Sequence, residues 1–234
     1  MSNTSEHPSD LILYNYFRSS TSYRARCALN IKKLDYIYKP IHLINNGGEQ
    51  NQKTYREINP MGGVPTLIHR DRTIAQSYAI IQYLEDEFPQ APALFPKKSY
   101  DKALVNQFCQ IINADLHSYA NLKTLQYLES KFAVSEPART EWIHNWFENG
   151  FVSLENFAQK HGGQYSFADT VTAADCFLAP LVFTAHRFKM DTSKFSKISE
   201  ITDRLTHLPE FMIAHPFRQP DTPDDLKLKS FFPK

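Results

Sequence analysis

Three short stretches place hydroxyls, amides and a kinked backbone where an anion or an extended peptide can be held. The first is Ser19-Ser20-Thr21, between an apolar strand-like run and the start of a helical pattern. A helix N-terminus offers unpaired N–H groups and a positive partial charge, which stabilise an anion such as a thiolate. A serine hydroxyl there can donate to the sulfur and lower the thiol's pKa. The same residue types are ordinary helix N-caps. The second stretch is Asn59-Pro60-Met61-Gly62-Gly63-Val64-Pro65-Thr66-Leu67. An X-Pro bond at the mouth of a strand is a candidate for cis geometry. It can aim backbone groups outward, to pair with a peptide as an added strand would. A tight turn into an edge strand is the plainer alternative. The third is Gln76-Ser77, at another helix start, a natural seat for a carboxylate. Each signal is weak alone; together they fall where one small acidic peptide would need them.

The elements that must position these residues follow from periodicity. Leu11 to Tyr14 reads as a strand, Thr21 to Leu29 as a helix, and Tyr36 to His42 as a second strand. Asn45-Asn46-Gly47-Gly48 opens a loop. Val64 to Ile68 is a strand with proline near its first position, where the missing N–H costs little. Asp71-Arg72 turns into Thr73-Ile74-Ala75, and Ser77 caps a helix to Glu87. The order β-α-β-loop-β-β-α is that of a thioredoxin-like domain. Pro89, Pro92 and Pro96 punctuate a linker. Beyond it the chain reads as helix over about Tyr100 to Lys131, Glu136 to His161, Thr172 to Arg187 and Ser196 to His207, with a short helix over Glu210 to Ala214. The expected class is α/β plus all-α: a thioredoxin-like domain over 10–90, a helical-bundle domain over 97–223, and a C-terminal tail over 224–234. Thr172-Ala173-Ala174-Asp175 has the form of a capping box and is read as structural. Trp142 and Trp146, four apart, mark a packed helix face.

Composition narrows the function classes. The 234 residues are 42% hydrophobic and 22% charged, with a net charge of +1, which gives no electrostatic reason to expect nucleic acid or an anionic membrane as partner. Met1 to Asp10 is polar, without the pattern of a signal peptide. The apolar run Phe177 to Ala185 is interrupted by Pro180 and too short to span a bilayer. Cys27, Cys109 and Cys176 form neither a CxxC pair nor a metal pattern, and read as reduced thiols in a cytosolic protein.

The chain resembles the zeta class of glutathione S-transferases, the class that contains maleylacetoacetate isomerase. The resemblance runs from Leu11 to Pro223. It is carried by Tyr16-Phe17-Arg18-Ser19-Ser20, Asn59-Pro60-Met61 with Val64-Pro65-Thr66-Leu67, Gln76-Ser77-Tyr78-Ala79-Ile80-Ile81, Asn121-Leu122, Arg187-Phe188-Lys189 and His215-Pro216-Phe217-Arg218-Gln219-Pro220-Asp221-Thr222-Pro223. The Val64-Pro65 and Gln76-Ser77 pieces occur throughout the superfamily; the paired serines and the tail point to the class. The resemblance implies that glutathione is the cofactor, with Ser19 on its sulfur and Ser20 close by. It implies the backbone at Val64-Pro65 on the cysteinyl unit, Gln76 and Ser77 on the γ-glutamyl end, and Gln50 on the glycyl end. It places His117 and Asn121, on the first long helix of the second domain, at the active-site cleft. A homodimer is implied on the same ground. The family motif usually reads Ser-Ser-Cys, and Thr21 stands in place of the cysteine.

The implied reaction is cis–trans isomerisation of a small dianion, maleylacetoacetate to fumarylacetoacetate. A glutathione thiolate adds to one alkene carbon, the resulting single bond rotates, and the thiolate leaves again. Arg18 and Arg187 are the expected partners of the substrate carboxylates, with Arg24 a further candidate or a solvated helix residue. His117 or a backbone N–H would stabilise the developing enolate. Maleylpyruvate isomerisation, displacement at small α-halo acids and a non-catalytic binding role are the alternatives.

Overall fold

The computed structural model describes residues 10–228, so the polar start and the last residues of the tail, Lys229 to Lys234, lie outside the described residues. By contact the chain forms two units, one running to Ala93 and resuming at His207, the other spanning Leu94–Thr206.

The first unit contains β1 (Leu11–Asn15), α1 (Ser20–Ile31), β2 (Ile37–Pro40), α2 (Lys53–Ile58), β3 (Thr66–His69), β4 (Arg72–Ala75) and α3 (Ser77–Glu87). The sheet order is β2-β1-β3-β4, with β1 parallel to β2 and antiparallel to β3, and β3 antiparallel to β4. Alternation buries Leu11 and Leu13 of β1, and Leu67 is buried in β3. Ala25, Ala28 and Leu29 of α1 and Ile80, Ile81 and Leu84 of α3 are buried with them, and α1 packs on α3. The fully buried Lys32 ammonium joins the end of α1 to Glu85 of α3 at 2.9 Å and also donates to the Pro92 carbonyl.

The expected strand ends shift. β2 is confined to Ile37–Pro40, and Val64 and Pro65 precede β3 rather than belong to it. The expected loop after Asn45 contains two 3₁₀ turns, Asn45–Gly47 and Glu49–Asn51, and then α2. That helix buries Tyr55 alone, so it leaves no apolar period to read.

The first unit also takes in α10 (Pro209–Ala214) and a 3₁₀ turn, Pro216–Arg218. This corrects the assignment of 207–223 to the helical domain. Arg26 donates to the Ala214 carbonyl at 2.9 Å and Asn30 to that of Glu210 at 2.9 Å, both from α1. The linker boundary falls between Ala93 and Leu94.

The second unit is helical: α4 (Ser99–Gln110), a π-helical turn (Ile111–Leu116), α5 (His117–Ala120), α6 (Leu122–Phe132), α7 (Glu136–His161), α8 (Ala173–Arg187) and α9 (Ser196–Thr206). The single helix expected over 100–131 is therefore broken twice. At the π turn the chain lies against Gly150 of α7, where an added Cβ would stand 2.2 Å from Leu116 Cδ2. At Asn121 the backbone becomes extended, φ −65° and ψ 140°, and a new helix starts. α8 is buried along almost its whole length. Its start is held by Asp175, which accepts from the Thr172 N–H at 2.8 Å, the Thr172 hydroxyl at 3.3 Å and the Ser166 N–H at 2.9 Å. Glu155 of α7 serves α9 likewise, accepting from the N–H groups of Lys197 and Ile198 at 2.9 Å each. No helix among the described residues is long and apolar enough to cross a membrane.

Candidate active site

The loop leaving β1 passes through Tyr16-Phe17-Arg18 and delivers Ser19 to the N-terminus of α1. Ser19 is the N-cap, and its Oγ accepts from the Ser22 N–H at 3.2 Å, which satisfies one of the helix's free donors. The same Oγ lies 2.9 Å from Thr21 Oγ1, and Thr21 donates to the Val64 carbonyl at 2.8 Å. A hydroxyl carries one proton. Thr21 spends its proton on Val64, so Ser19 is the donor to Thr21. A directed chain thus runs from the Ser22 N–H through Ser19 and Thr21 to Val64, and it joins two of the three motifs. Ser20 is the first residue of α1 and half-buried. Arg18 is half-buried with its guanidinium over the Phe17 ring at 5.9 Å.

Val64 is held in place by a buried polar network. Tyr55 donates to the Gly63 carbonyl at 2.6 Å and pairs with the Thr66 hydroxyl at 2.9 Å. Asn59 Nδ2 donates to the same two groups at 2.9 and 3.0 Å. Burial pushes the Tyr55 phenol up, so it stays a neutral donor. Gly62 must be glycine: it sits at φ +56°, and a Cβ would lie 2.7 Å from the Gln50 carbonyl. The Val64-Pro65 bond is cis, in keeping with the sequence, and Pro65 is buried.

Gln76 caps α3 at φ +74° and ψ 118°, a region that costs a non-glycine residue on the order of 1–3 kcal/mol and that concentrates at functional sites. Its side chain is exposed and makes no capping bond; Ser77, beside it, is buried. The Arg24 Nη1 lies 3.5 Å from Ser77 Oγ. Arg24 is only 1% exposed, which corrects its reading as a solvated helix residue. Its guanidinium places a cation beside Ser77 at the expected carboxylate seat, which the helical spacing alone did not show. Gln50 is buried, with Nε2 donating to the Leu43 carbonyl at 3.1 Å.

In the second unit, His117 opens α5 and Asn121 caps α6. The Asn121 Nδ2 lies 3.4 Å from His117 Nε2, while its Oδ1 accepts from the Lys123 N–H at 3.0 Å. They share a short helical turn and the cap after it, not one long helix. That turn is anchored by aromatic packing: Tyr119 stacks on Trp146 at 3.9 Å, and Trp142 donates to the Tyr119 carbonyl at 3.1 Å. The two tryptophans do mark a packed face. Arg187 ends α8, exposed, with its guanidinium 5.2 Å from the Phe188 ring centre. Cys27, Cys109 and Cys176 are buried reduced thiols, and burial pushes that of Cys27 far up.

Residues 9–86 match the glutathione S-transferase N-terminal domain family. The chain is 40% identical over 210 residues to the maleylacetoacetate isomerase of Dictyostelium discoideum, covering 90% of this chain and 95% of that protein. Among solved structures it is similar to a maleylpyruvate isomerase described as a bacterial glutathione S-transferase in the zeta class, with 36% identity and a TM-score of 0.87 over 91% of this chain and all of that one. It is also similar to the maleylacetoacetate isomerase of Anaeromyxobacter dehalogenans with glutathione bound in its active site, with 34% identity and a TM-score of 0.81 over 91% of this chain and 98% of that one. With a thioredoxin-like first unit, a helical second unit and this degree of identity across nearly the whole length, the chain belongs to the zeta class of glutathione S-transferases.

Proposed function

We propose that the protein is a glutathione-dependent cis–trans isomerase that converts maleylacetoacetate to fumarylacetoacetate, a step in tyrosine and phenylalanine breakdown. The observation that carries this reading is the hydroxyl chain at the head of α1, which links Ser19 through Thr21 to the Val64 carbonyl. The donor set fits the cofactor: a helix N-terminus for a thiolate, the backbone leading into β3 for a peptide, and Ser77 beside a buried Arg24 for a carboxylate. Glutathione, when bound, supplies the thiolate whose reversible addition removes the double-bond character of the substrate's cis alkene.

The chain's own residues do the rest. Ser19 turns its proton from Thr21 to the sulfur, exchanging a neutral hydrogen bond for a charge-assisted one of about twice the strength. The α1 N-terminus adds its positive partial charge. The Val64 backbone holds the cysteinyl unit, and Gln76 and Ser77 hold the γ-glutamyl carboxylate with Arg24 beside Ser77. Gln50 is assigned to the glycyl end. Arg18 and Arg187 are assigned to the substrate carboxylates, and His117 with Asn121 to substrate contact. A cytosolic homodimer belongs to the same reading.

Maleylpyruvate, a shorter dianion of the same kind, is the second reading, favoured by the likeness to the maleylpyruvate isomerase structure. The test is an isomerisation assay on both substrates, each with and without glutathione. Turnover that requires glutathione is expected, and the ratio of the two rates names the substrate. No turnover of either overturns the proposal.

A further inference from the structure

The loop that carries Ser19 is tied down from the far end of the chain. The Phe17 N–H donates to Asp221 Oδ2 at 3.0 Å across 204 residues of sequence. The other Asp221 oxygen accepts from the Tyr38 hydroxyl, and Tyr38 stands opposite Leu13 where β2 pairs with β1. Burial holds the Tyr38 phenol far above its ordinary range, so it remains a standing donor.

The Tyr16 and Phe17 carbonyls of the loop are also taken. Arg26, fully buried, donates to the Tyr16 carbonyl at 3.3 Å, the Phe17 carbonyl at 3.0 Å and the Asn15 side chain at 2.9 Å. Through Nε it donates to the Ala214 carbonyl at 2.9 Å, so one guanidinium holds both the loop and the C-terminal segment. That segment is braced internally. The buried Gln219 donates to the carbonyls of Ile213 and His215 at 2.7 and 2.8 Å, and Thr222 donates to that of Pro216 at 2.7 Å. The Leu228 N–H returns to the Phe217 carbonyl at 3.0 Å. The result is a strap over 214–222 whose one carboxylate ends on the backbone two residues before Ser19.

We infer that Asp221 is a positioning residue for the isomerase: it fixes the Phe17 backbone, and so sets the direction from which Ser19 meets the sulfur. The inference rests on the reading of Ser19 as the thiol's partner. A carboxylate on a backbone N–H is a charge-assisted bond, shorter and stronger than the neutral bond to a water in its place. A loop held this way pays no ordering cost when glutathione arrives.

The test uses the full chain and glutathione as the probe. Asp221→Ala is expected to bind glutathione about tenfold more weakly, the scale of one lost bond to a charged group. It should also raise the pKa of the bound thiol, read by thiolate absorbance against pH. Asp221→Asn should recover most of both, because its oxygen can face the Phe17 N–H and its amide the Tyr38 oxygen. Asp224→Ala, in the exposed turn beyond, should match the wild type. The wild type supplies a second readout that needs no variant to fold. By linkage, bound glutathione should slow amide hydrogen exchange over 213–222. No such slowing, or an Asp221→Ala protein with wild-type affinity and thiol pKa, overturns the strap's role alone. A wild type that binds no glutathione overturns the functional reading and this inference with it.

Discussion

Replacing Ser19 by alanine separates its observed job as N-cap from the job proposed for it at the thiol. As N-cap it accepts from the Ser22 N–H at 3.2 Å, and losing that bond should lower stability by about 1 kcal/mol. In the proposed role as donor to a bound thiolate it would make a hydrogen bond to a charged group, about 1.5–3 kcal/mol. At 1.36 kcal/mol per unit, that bond accounts for a thiol pKa about 1–2 units lower than without it. The donor favours the charged form, so its removal raises the pKa. At neutral pH the thiolate fraction, and kcat/KM with it, should fall by roughly 10- to 100-fold. The deficit should shrink as pH rises toward the ordinary thiol value, because the variant then regains its thiolate. The assays are the ultraviolet absorbance of bound glutathione against pH and the pH profile of kcat/KM for isomerisation. A large loss of rate with an unchanged thiol pKa would refute the reasoning, since Ser19 would then act only through the fold.

Three further outcomes follow from named contacts. Thr21→Val keeps the side-chain shape but strips partners from Ser19 and the Val64 carbonyl; urea unfolding should show a loss of about 1–2 kcal/mol, with Thr21→Ser close to wild type. Asp175→Ala leaves the buried N–H groups of Ser166 and Thr172 without their acceptor, and at about 1–3 kcal/mol each the midpoint of unfolding should drop sharply or the protein fail to accumulate; a loss below about 1 kcal/mol would contradict the role given to that carboxylate. His215 is held neutral by burial and by the Arg218 and Arg26 charges, its pKa lowered from 6.5 to about 4. The unfolded chain then binds the extra proton between those values, so this stability is complete above pH 6.5 and lost as pH falls toward 4, by at most about 3 kcal/mol. His215→Asn should flatten that acid limb in urea titrations at pH 7 and pH 5, and an equal slope in both proteins would count against it.

Features set by neighbouring residues were legible in the sequence. The helix starts expected at Thr21 and after a Ser77 cap, each one residue from those observed at Ser20 and Ser77, the candidate cis bond before Pro65 and the Thr172–Asp175 box each depend on local chain chemistry, and periodicity suffices to find α7, α8 and α9. Family resemblance added the cofactor and the class, and the structure added what local signals cannot contain. α2 buries one residue and so has no period; the π turn and the break at Asn121 interrupt a run whose residues are all compatible with helix. Arg24, open in the sequence between a carboxylate partner and a solvated residue, is buried beside Ser77, and Arg26 is a buried hub of the first unit. Thr21 reads as a lost cysteine, and only folding sets its hydroxyl between Ser19 and a carbonyl 43 residues away. The segment over 207–223 sorts by type with the other helices, yet its contacts place it on α1 and on the Ser19 loop. Local propensity determines which elements form, because it is decided within a turn or a strand. Which buried charge meets which backbone group is decided by packing between segments far apart in the chain, and the arrangement around Ser19 is made of such meetings.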